Sequence, residues 1–438
     1  MERIEINGFL TIDHADFEIR KINILIGAQA QGKSVIAKLA YFFKNFFPAI
    51  FIPSVQEFET KREIERKCLA QFEEIFPRYS WINQEFSIIY TNGNYEVSIA
   101  RTKAGNKYIL RFNYCKELVN FHKELNIIYK RALDELEARQ VEQKYRSTLL
   151  PKEWILHQAT SEKIKNSIFS KVGSNPIFIP ASRSFFANLQ KNIFSFLAND
   201  IDIDPLIKEF GSHYENSKHM LVGNTFLVDD IFETIEKKIS NLVSEVIAGE
   251  YTYEEKQDWI LNNGRRTNLA NASSGQQEAL PMLLILKTLP FIFDFDKKTT
   301  FFIEEPEAHL FPISQKQIIS LIATIYNAFG HSFFITTHSP YILTAINNLV
   351  VGRDAYDKVN GDEKIMRKLI NLKKLTKLLP ADELIRLEDV SAYTLNKGKL
   401  ESIIDMENRL IGANLLDAVS DEFDAAFSVA TEILYRAD

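Results

Sequence analysis

Cysteine is nearly absent: Cys68 and Cys115 are the only two in 438 residues. No disulfide framework is implied, and a reducing compartment suits the chain. An excess of one charge is missing too. The 52 basic and 58 acidic residues leave a net charge of −6, so no global attraction draws the chain to nucleic acid, although a local basic face remains open. Long apolar runs are also lacking. The longest candidate, 283–293, falls short of the ~20 residues a bilayer span needs, and Asp294 and Asp296 close it. The amino terminus, Met1-Glu2-Arg3-Ile4-Glu5-Ile6, carries neither the basic region nor the apolar stretch of a signal peptide. The expectation is a cytoplasmic protein with no membrane partner. Internal repeats and low-complexity tracts are not found. What remains is ordinary globular composition, 46% hydrophobic and 25% charged, with 33 Phe for an aromatic-rich core and length for two or three domains.

One stretch organises the rest. Gly27-Ala28-Gln29-Ala30-Gln31-Gly32-Lys33-Ser34 reads G-x-x-x-x-G-K-S, a phosphate-binding loop. A short apolar run, Ile22–Ile26, precedes it, and a helical run from Val35 to Phe43 follows. Strand, glycine turn and helix start are the context that the motif requires. The glycines let successive N–H groups turn toward phosphate oxygens, and the helix start, at Val35, adds partial positive charge. Lys33 suits the β- and γ-phosphates, and the Ser34 hydroxyl suits Mg²⁺.

Further along, Phe86–Tyr90 and Tyr95–Ile99 flank Asn92-Gly93, and a second turn at Ala104-Gly105-Asn106 leads to Tyr108–Phe112. This pattern predicts an antiparallel meander, distinct from the parallel sheet that a phosphate loop joins. The segment Lys116–Arg146 is charged and free of Gly and Pro, and with Glu153–Val172 it predicts a solvated helical hairpin. Its basic residues (Lys130, Arg131, Arg139, Lys144, Arg146) alternate with Glu135, Glu137 and Glu142. Mixed charge of this kind reads first as a solvated face and second as a nucleic-acid contact. Helices are expected over Phe185–Leu197, Asp204–His219, Val228–Val246 and Ala413–Arg436, and strand over Glu250–Asn262.

Three more stretches carry chemistry. Pro176–Pro180 is a short strand ending in Ala181-Ser182-Arg183-Ser184; Arg183 fits either an anion contact or a structural role beside a capping serine. Ser273-Ser274-Gly275-Gln276 opens a helix, as a plain N-cap does and as an anion site does. The strand Thr299–Ile303 ends in Glu304-Glu305-Pro306-Glu307. Three carboxylates at a strand end are unfavourable unless positive charge sits there, and ligands of open α/β sheets bind outside such ends. Finally, Ser332–Thr337 ends in His338-Ser339-Pro340, which would set His338 level with Glu305.

In this order the four motifs resemble those of ABC-type ATPases. The resemblance implies an α/β ATPase head, with a phosphate-loop sheet, antiparallel β-subdomain and helical lobe, here carrying a helical hairpin insertion and a C-terminal α+β extension. It implies ATP and Mg²⁺ as cofactors, bound at Gly27, Ala28, Gln29, Ala30, Gln31, Gly32, Lys33, Ser34 and Val35, with Ser34 and Glu304 on the metal. It implies Glu305 polarising the attacking water and His338 on the γ-phosphate. Ser273, Ser274, Gly275 and Gln276 would reach the nucleotide of a facing subunit. Arg183 stands at about the place of the Q-loop glutamine, and Gln190 is a weaker candidate. The chain departs from the pattern in lacking the usual Leu and first Gly before Ser274-Gly275-Gln276, and in having Glu304 where Asp is usual.

Within this class, Glu-Glu-Pro-Glu-Ala-His-Leu and Thr-Thr-His-Ser-Pro resemble the OLD-like ATPases of antiphage systems, the PARIS-type subunit first and the Septu-type next. That likeness implies a homo-oligomeric sensor and scaffold that holds and releases a separate toxic nuclease, TOPRIM-like or HNH, on a phage-encoded trigger. The alternative is a DNA repair or chromosome-maintenance ATPase of SMC or RecF type that binds duplex DNA directly, which the net charge and short hairpin disfavour. A transporter head and a non-hydrolysing ATP scaffold are further readings. The expected organisation is an ATPase lobe (1–115), hairpin insertion (116–175), helical and signature lobe (176–290), Walker B and switch-His part (291–348) and an extension for oligomer or partner docking (349–438).

Overall fold

In the computed structural model, the residues described are 1–142, 160–167, 169–170, 172, 175–187, 203–222, 230–292, 298–361 and 365–412. Residues 143–159, 168 and 171 of the expected hairpin, Gln190 and the rest of the 185–197 helix after residue 187, and the 413–436 helix lie outside them.

Strands β1 (Glu2–Phe9) and β2 (Ile12–Ile19) form a hairpin, and β3 (Ile22–Ile26) follows, buried at all five positions. Helix α1 (Lys33–Asn45) runs on through a π-helical stretch at Phe46–Phe51, where Pro48 supplies no N–H, into α2 (Ile52–Gln56). This combined helix is long and apolar enough to cross a membrane, the one such helix among the described residues. It corrects 283–293 as the longest candidate, because Lys38 and Lys44 interrupt the run only in sequence. Most of it is buried, and the two lysines are paired with Asp204 at 2.8 Å and Glu2 at 2.7 Å. It is a core helix of the fold.

After α3 (Lys61–Ile75) come β4 (Phe86–Asn92), β5 (Tyr95–Ala104) and β6 (Lys107–Tyr114), the expected meander with Gly93 and Gly105 at positive φ in its turns. It is antiparallel, yet it is not a separate sheet, since β4 pairs with β1. Helix α4 (Lys116–Glu142) follows. Its first half is buried rather than solvated: Leu118, Phe121, Leu125 and Tyr129 recur on one face and join the core around Phe47 and Phe169. Lys130 and Arg131 are exposed.

Strand β7 (Ile177–Ile179) and helices α5 (Pro205–Val222) and α6 (Asp230–Val246) lead to a small sheet of β8 (Glu250–Glu254), β9 (Gln257–Asn262) and β10 (Arg265–Asn268). The expected single strand over 250–262 is thus a hairpin, turned at Glu255-Lys256, both left-handed. Then come α7 (Ser274–Thr288), β11 (Thr300–Glu304), α8 (Pro312–Phe329), β12 (Ser332–Thr337), α9 (Pro340–Asn360) and α10 (Ile365–Thr376). Strands β13 (Val390–Asn396) and β14 (Lys399–Ser402) form a hairpin.

The main sheet has 11 strands in the order β6-β5-β4-β1-β2-β14-β13-β3-β12-β11-β7. From β13 to β7 neighbours run parallel. The late hairpin β13–β14 lies between β2 and β3, so residues 390–402 complete the sheet instead of standing apart in a docking extension. Alternate residues of the parallel strands feed two cores. Leu25, Phe302 and Phe334 pack with α1 and the meander, whereas Ile24, Ile26, Ile303 and Ile335 pack with α7, α8 and α9. A parallel sheet covered on both faces explains the unbroken apolar strands. It also gathers the C-terminal ends of β3, β7, β11 and β12 along one edge.

Candidate functional site

Register places the motif residues side by side at that edge. Ile26 is opposite Thr337, so Gly27 and His338 leave adjacent strands together. Glu304 is opposite Thr336, and Ile303 is opposite Ile179, so the β7 turn meets the acidic run.

The loop Gly27–Ser34 is built as an anion cradle. Ala28, Gln29, Ala30 and Ser34 are exposed, and α1 begins immediately behind them. Gly32 has φ 103°, and a Cβ there would meet the Thr11 hydroxyl at 2.7 Å, so only glycine fits. Lys33 is buried to 5% exposure; its Nζ donates to the carbonyls of Gly27 (2.8 Å) and Ala28 (2.7 Å) and lies 3.3 Å from His338 Nδ1. Burial lowers the Lys33 pKa, and Glu305 and Glu307 oppose that shift.

His338 Nε2 is 3.0 Å from Glu305 Oε1. The neutral tautomer with its proton on Nε2 satisfies both ring contacts. Lys33, His338 and Glu305 therefore form one chain of contacts beside the loop. Glu307 holds the His338 backbone: its Oε1 accepts from the His338 N–H and the Thr337 hydroxyl, each at 2.7 Å. Ser339 adds a bond from its hydroxyl to Gln315 Oε1 at 2.6 Å.

Glu304 is almost fully buried. Burial raises its pKa, opposed by a hydrogen bond from Ser34, the charge of Lys38 and the Ala181 N–H. One of its oxygens, Oε1, is buried with no hydrogen-bond partner. Glu305 sits just before Pro306 with φ 43°, a left-handed conformation that costs a side-chain-bearing residue about 1–3 kcal/mol and that a following proline disfavours further.

Arg183 resolves how the acidic run is tolerated, and it corrects its expected nucleotide contact. Its side chain is fully buried behind the strand ends. The guanidinium donates to the carbonyls of Pro180 (2.9 Å), Glu304 (2.7 Å), Glu305 (3.0 Å) and Glu278 (2.9 Å), and the Arg183 N–H donates to Glu278 Oε2 (2.9 Å). Desolvation lowers its pKa against the pull of Glu278, Glu307, Glu304 and Glu305. It is an internal counter-charge, with its donors committed to protein.

The Ser273–Gln276 turn closes on itself in this chain. Ser273 and Gln276 form a reciprocal cap of α7, and Gln276 Nε2 also donates to the Ile247 carbonyl at 2.7 Å. Ser273 and Ser274 are exposed. Gly275 is buried, and a Cβ on it would meet the His309 carbonyl at 2.7 Å. Among the described residues, no hydrogen bond or ion pair joins this turn to the Gly27–Ser34 loop.

Residues 1–343 match the AAA ATPase domain family, 343 of 438 residues. The chain belongs to that family. No curated protein matches it in sequence. Among solved structures, similar chains include the Smc head domain with an extended coiled coil bound to the C-terminal domain of ScpA, from Pyrococcus furiosus. That pair shares 12% identity at a TM-score of 0.35, covering 96% of this chain and all of that one. The SMC head domain from Thermotoga maritima shares 10% identity at a TM-score of 0.34, covering 92% and 97%.

As a member of the AAA ATPase domain family, the chain is read as a user of ATP, usually with Mg²⁺. The donors present fit the metal: a hydroxyl at the end of the loop, Ser34, and a buried carboxylate with an orphaned oxygen, Glu304. These two residues would hold Mg²⁺, which supplies charge neutralisation at the phosphates. Sequence reading missed the function of Glu307, Thr337, Ser339 and Gln315 as the frame of His338. Glu307 was visible in the acidic run; what singles it out is the β11–β12 register, which sequence does not state.

Proposed function

We propose that the chain binds and hydrolyses ATP as an ABC-type head, using the turnover to switch between assembly states. The observation that carries this reading is the contact chain Lys33–His338–Glu305 beside an open phosphate loop. In the reaction, Glu305 accepts a proton from water as the water oxygen attacks the γ-phosphorus. The bond between that phosphorus and the β–γ bridging oxygen breaks, and ADP leaves. His338 and Lys33 bear on the γ-phosphate, where they offset the charge on its oxygens and the charge that develops on the β–γ bridging oxygen as the bond breaks. Lys33 must first leave the Gly27 and Ala28 carbonyls, which the phosphates replace as partners. Ser273, Ser274, Gly275 and Gln276 reach the nucleotide from a second copy facing the first, with the exposed serines leading. The likeness of the Glu304–Leu310 and Thr336–Pro340 motifs to OLD-like defence ATPases supports a role as cytoplasmic sensor and scaffold for a separate nuclease effector released by a phage-encoded trigger.

The test is the mass and phosphate release of the full chain and of Glu305→Gln, with and without ATP-Mg²⁺ and duplex DNA. Glu305→Gln is expected to lose turnover about 100-fold or more while accumulating an ATP-bound assembly larger than the monomer that ignores DNA. Undiminished turnover in Glu305→Gln refutes the role of the carboxylate. A dimer formed with ATP that clamps DNA at moderate salt would replace the scaffold reading with that of a DNA-maintenance ATPase.

A further inference from the structure

We propose that Arg183 is a positioning residue for hydrolysis. It pins Glu305 in its left-handed backbone conformation, which aims the carboxylate at His338, and it ties that strand end to the helix opened by Ser273.

The argument begins with the strain at Glu305. A non-glycine residue at φ 43° followed by proline reverts to an ordinary conformation unless its peptide groups are held on both sides. Two bonds hold this one. The Glu305 N–H donates to the Thr336 carbonyl at 2.9 Å, and the Glu305 carbonyl accepts from Arg183 Nη2 at 3.0 Å. The same guanidinium takes the Glu304 carbonyl through Nη1. Two successive carbonyls at the end of β11 therefore point at one planar, fully buried donor set. The consequence falls on the side chain: with its peptide rotated, Glu305 sets Oε1 3.0 Å from His338 Nε2.

The other side of Arg183 faces α7. Its Nε donates to the Glu278 carbonyl, and its N–H to the Glu278 carboxylate. Glu278 lies in the second turn of the helix whose cap is Ser273–Gln276. Gly275 of that cap packs against the His309 carbonyl, in the turn that follows Glu305. Displacement of the cap by a nucleotide thus acts on Glu305 along two rigid connections. This rests on the hydrolysis proposed above and deepens it, since it makes the water-polarising group responsive to the α7 cap. A lysine cannot substitute: it keeps the charge but loses the fork that spans separate carbonyls.

The experiment measures phosphate release and binding of a fluorescent ATP analogue by the full chain, Arg183→Lys, Glu305→Gln and the double variant, with circular dichroism as the folding control. Arg183→Lys is expected to lower kcat by roughly 30-fold, which is about 2 kcal/mol, with KM and nucleotide affinity within about threefold of the unsubstituted chain. In the Glu305→Gln background the same change is expected to cost nothing further, because Arg183 acts through that carboxylate. A kcat within about threefold of the unsubstituted chain, or losses that multiply in the double variant, overturns the proposal. If Arg183→Lys does not fold, Glu278→Gln reads the α7 side, with a smaller fall in kcat at unchanged KM expected and an unchanged kcat overturning the proposal. An unsubstituted chain no faster than Glu305→Gln overturns hydrolysis itself and this inference with it. A fast chain with an equally fast Arg183→Lys overturns only the inference.

Discussion

Glu304 and Glu307 share one acidic run but respond differently to removal. The Glu304 carboxyl is pushed up by burial, so its ionised form costs the folded state above its raised pKa and nothing well below 4.5, where both states are protonated. Glu304→Gln is therefore expected to raise the thermal midpoint of the nucleotide-free chain, by about 2 °C for each kcal/mol relieved. The gain should be absent well below 4.5, grow as pH rises from 4.5 toward the raised folded pKa, and stay level above it. Thermal melts across pH check this, and a gain that shrinks with rising pH contradicts it. The same variant should lose Mg²⁺-supported turnover. Glu307→Ala has another signature. It frees the His338 N–H and the Thr337 hydroxyl together, so kcat should fall about 10- to 100-fold, or 1.4–2.7 kcal/mol, at nearly unchanged nucleotide affinity. Steady-state kinetics beside equilibrium binding separate the two. Lys33, Ser34, Glu305 and His338 could be picked out as candidates because each stands in a short motif just after an apolar strand, and the fold places Lys33, His338 and Glu305 in contact. Arg183 was left between two roles, since a buried and an exposed guanidinium look alike until the β7–β11 pairing is known.

At the level of elements, much of the pattern could be read in advance. The strand before Gly27, the Asn92-Gly93 hairpin and the helix opened by Ser273 are all signalled within a few residues. The first half of α4 was not so readable. Its stripe of Leu118, Phe121, Leu125 and Tyr129 is sparse among charges, and only the facing Phe47 and Phe169 turn it into core. Leu125→Ala is expected to destabilise the chain by about 2–5 kcal/mol, whereas Lys130→Ala on the exposed side should stay within ~0.5 kcal/mol. Denaturant titration distinguishes them; similar small effects would return α4 to a solvated arm. The small sheet depends on buried polar contacts. Asp258 accepts from the hydroxyls of Tyr214 (2.9 Å) and Tyr251 (2.7 Å), binding β9 to α5, with the buried Lys218 at 3.6 Å. The β8–β9 turn falls on Glu255-Lys256, two ordinary side chains at positive φ where Asn or Gly would announce a hairpin, which is why 250–262 looked like a single strand.

For the whole molecule, the decisive contact is one of the most distant in sequence. β13 joins β3 across about 360 residues, although the family match ends at 343. No local periodicity encodes that pairing. A chain ending at residue 388 is expected to be insoluble or to lack a cooperative transition, because β3 and β2 then present open edges. Calorimetry and size measurement of the truncated chain test this; a soluble, cooperatively melting product that binds ATP would refute it.

The late strand also dictates an order of manufacture. At about 5–20 residues per second, β3 emerges from the ribosome roughly 20–70 s before β13 can cover its flank. Through that interval the nascent phosphate loop has neither its neighbouring strand nor His338 for most of the wait, so it has no means of responding to cellular ATP. The completed edge beside the phosphate loop is thus expected as a late event of synthesis, after both β12 and β13 have emerged.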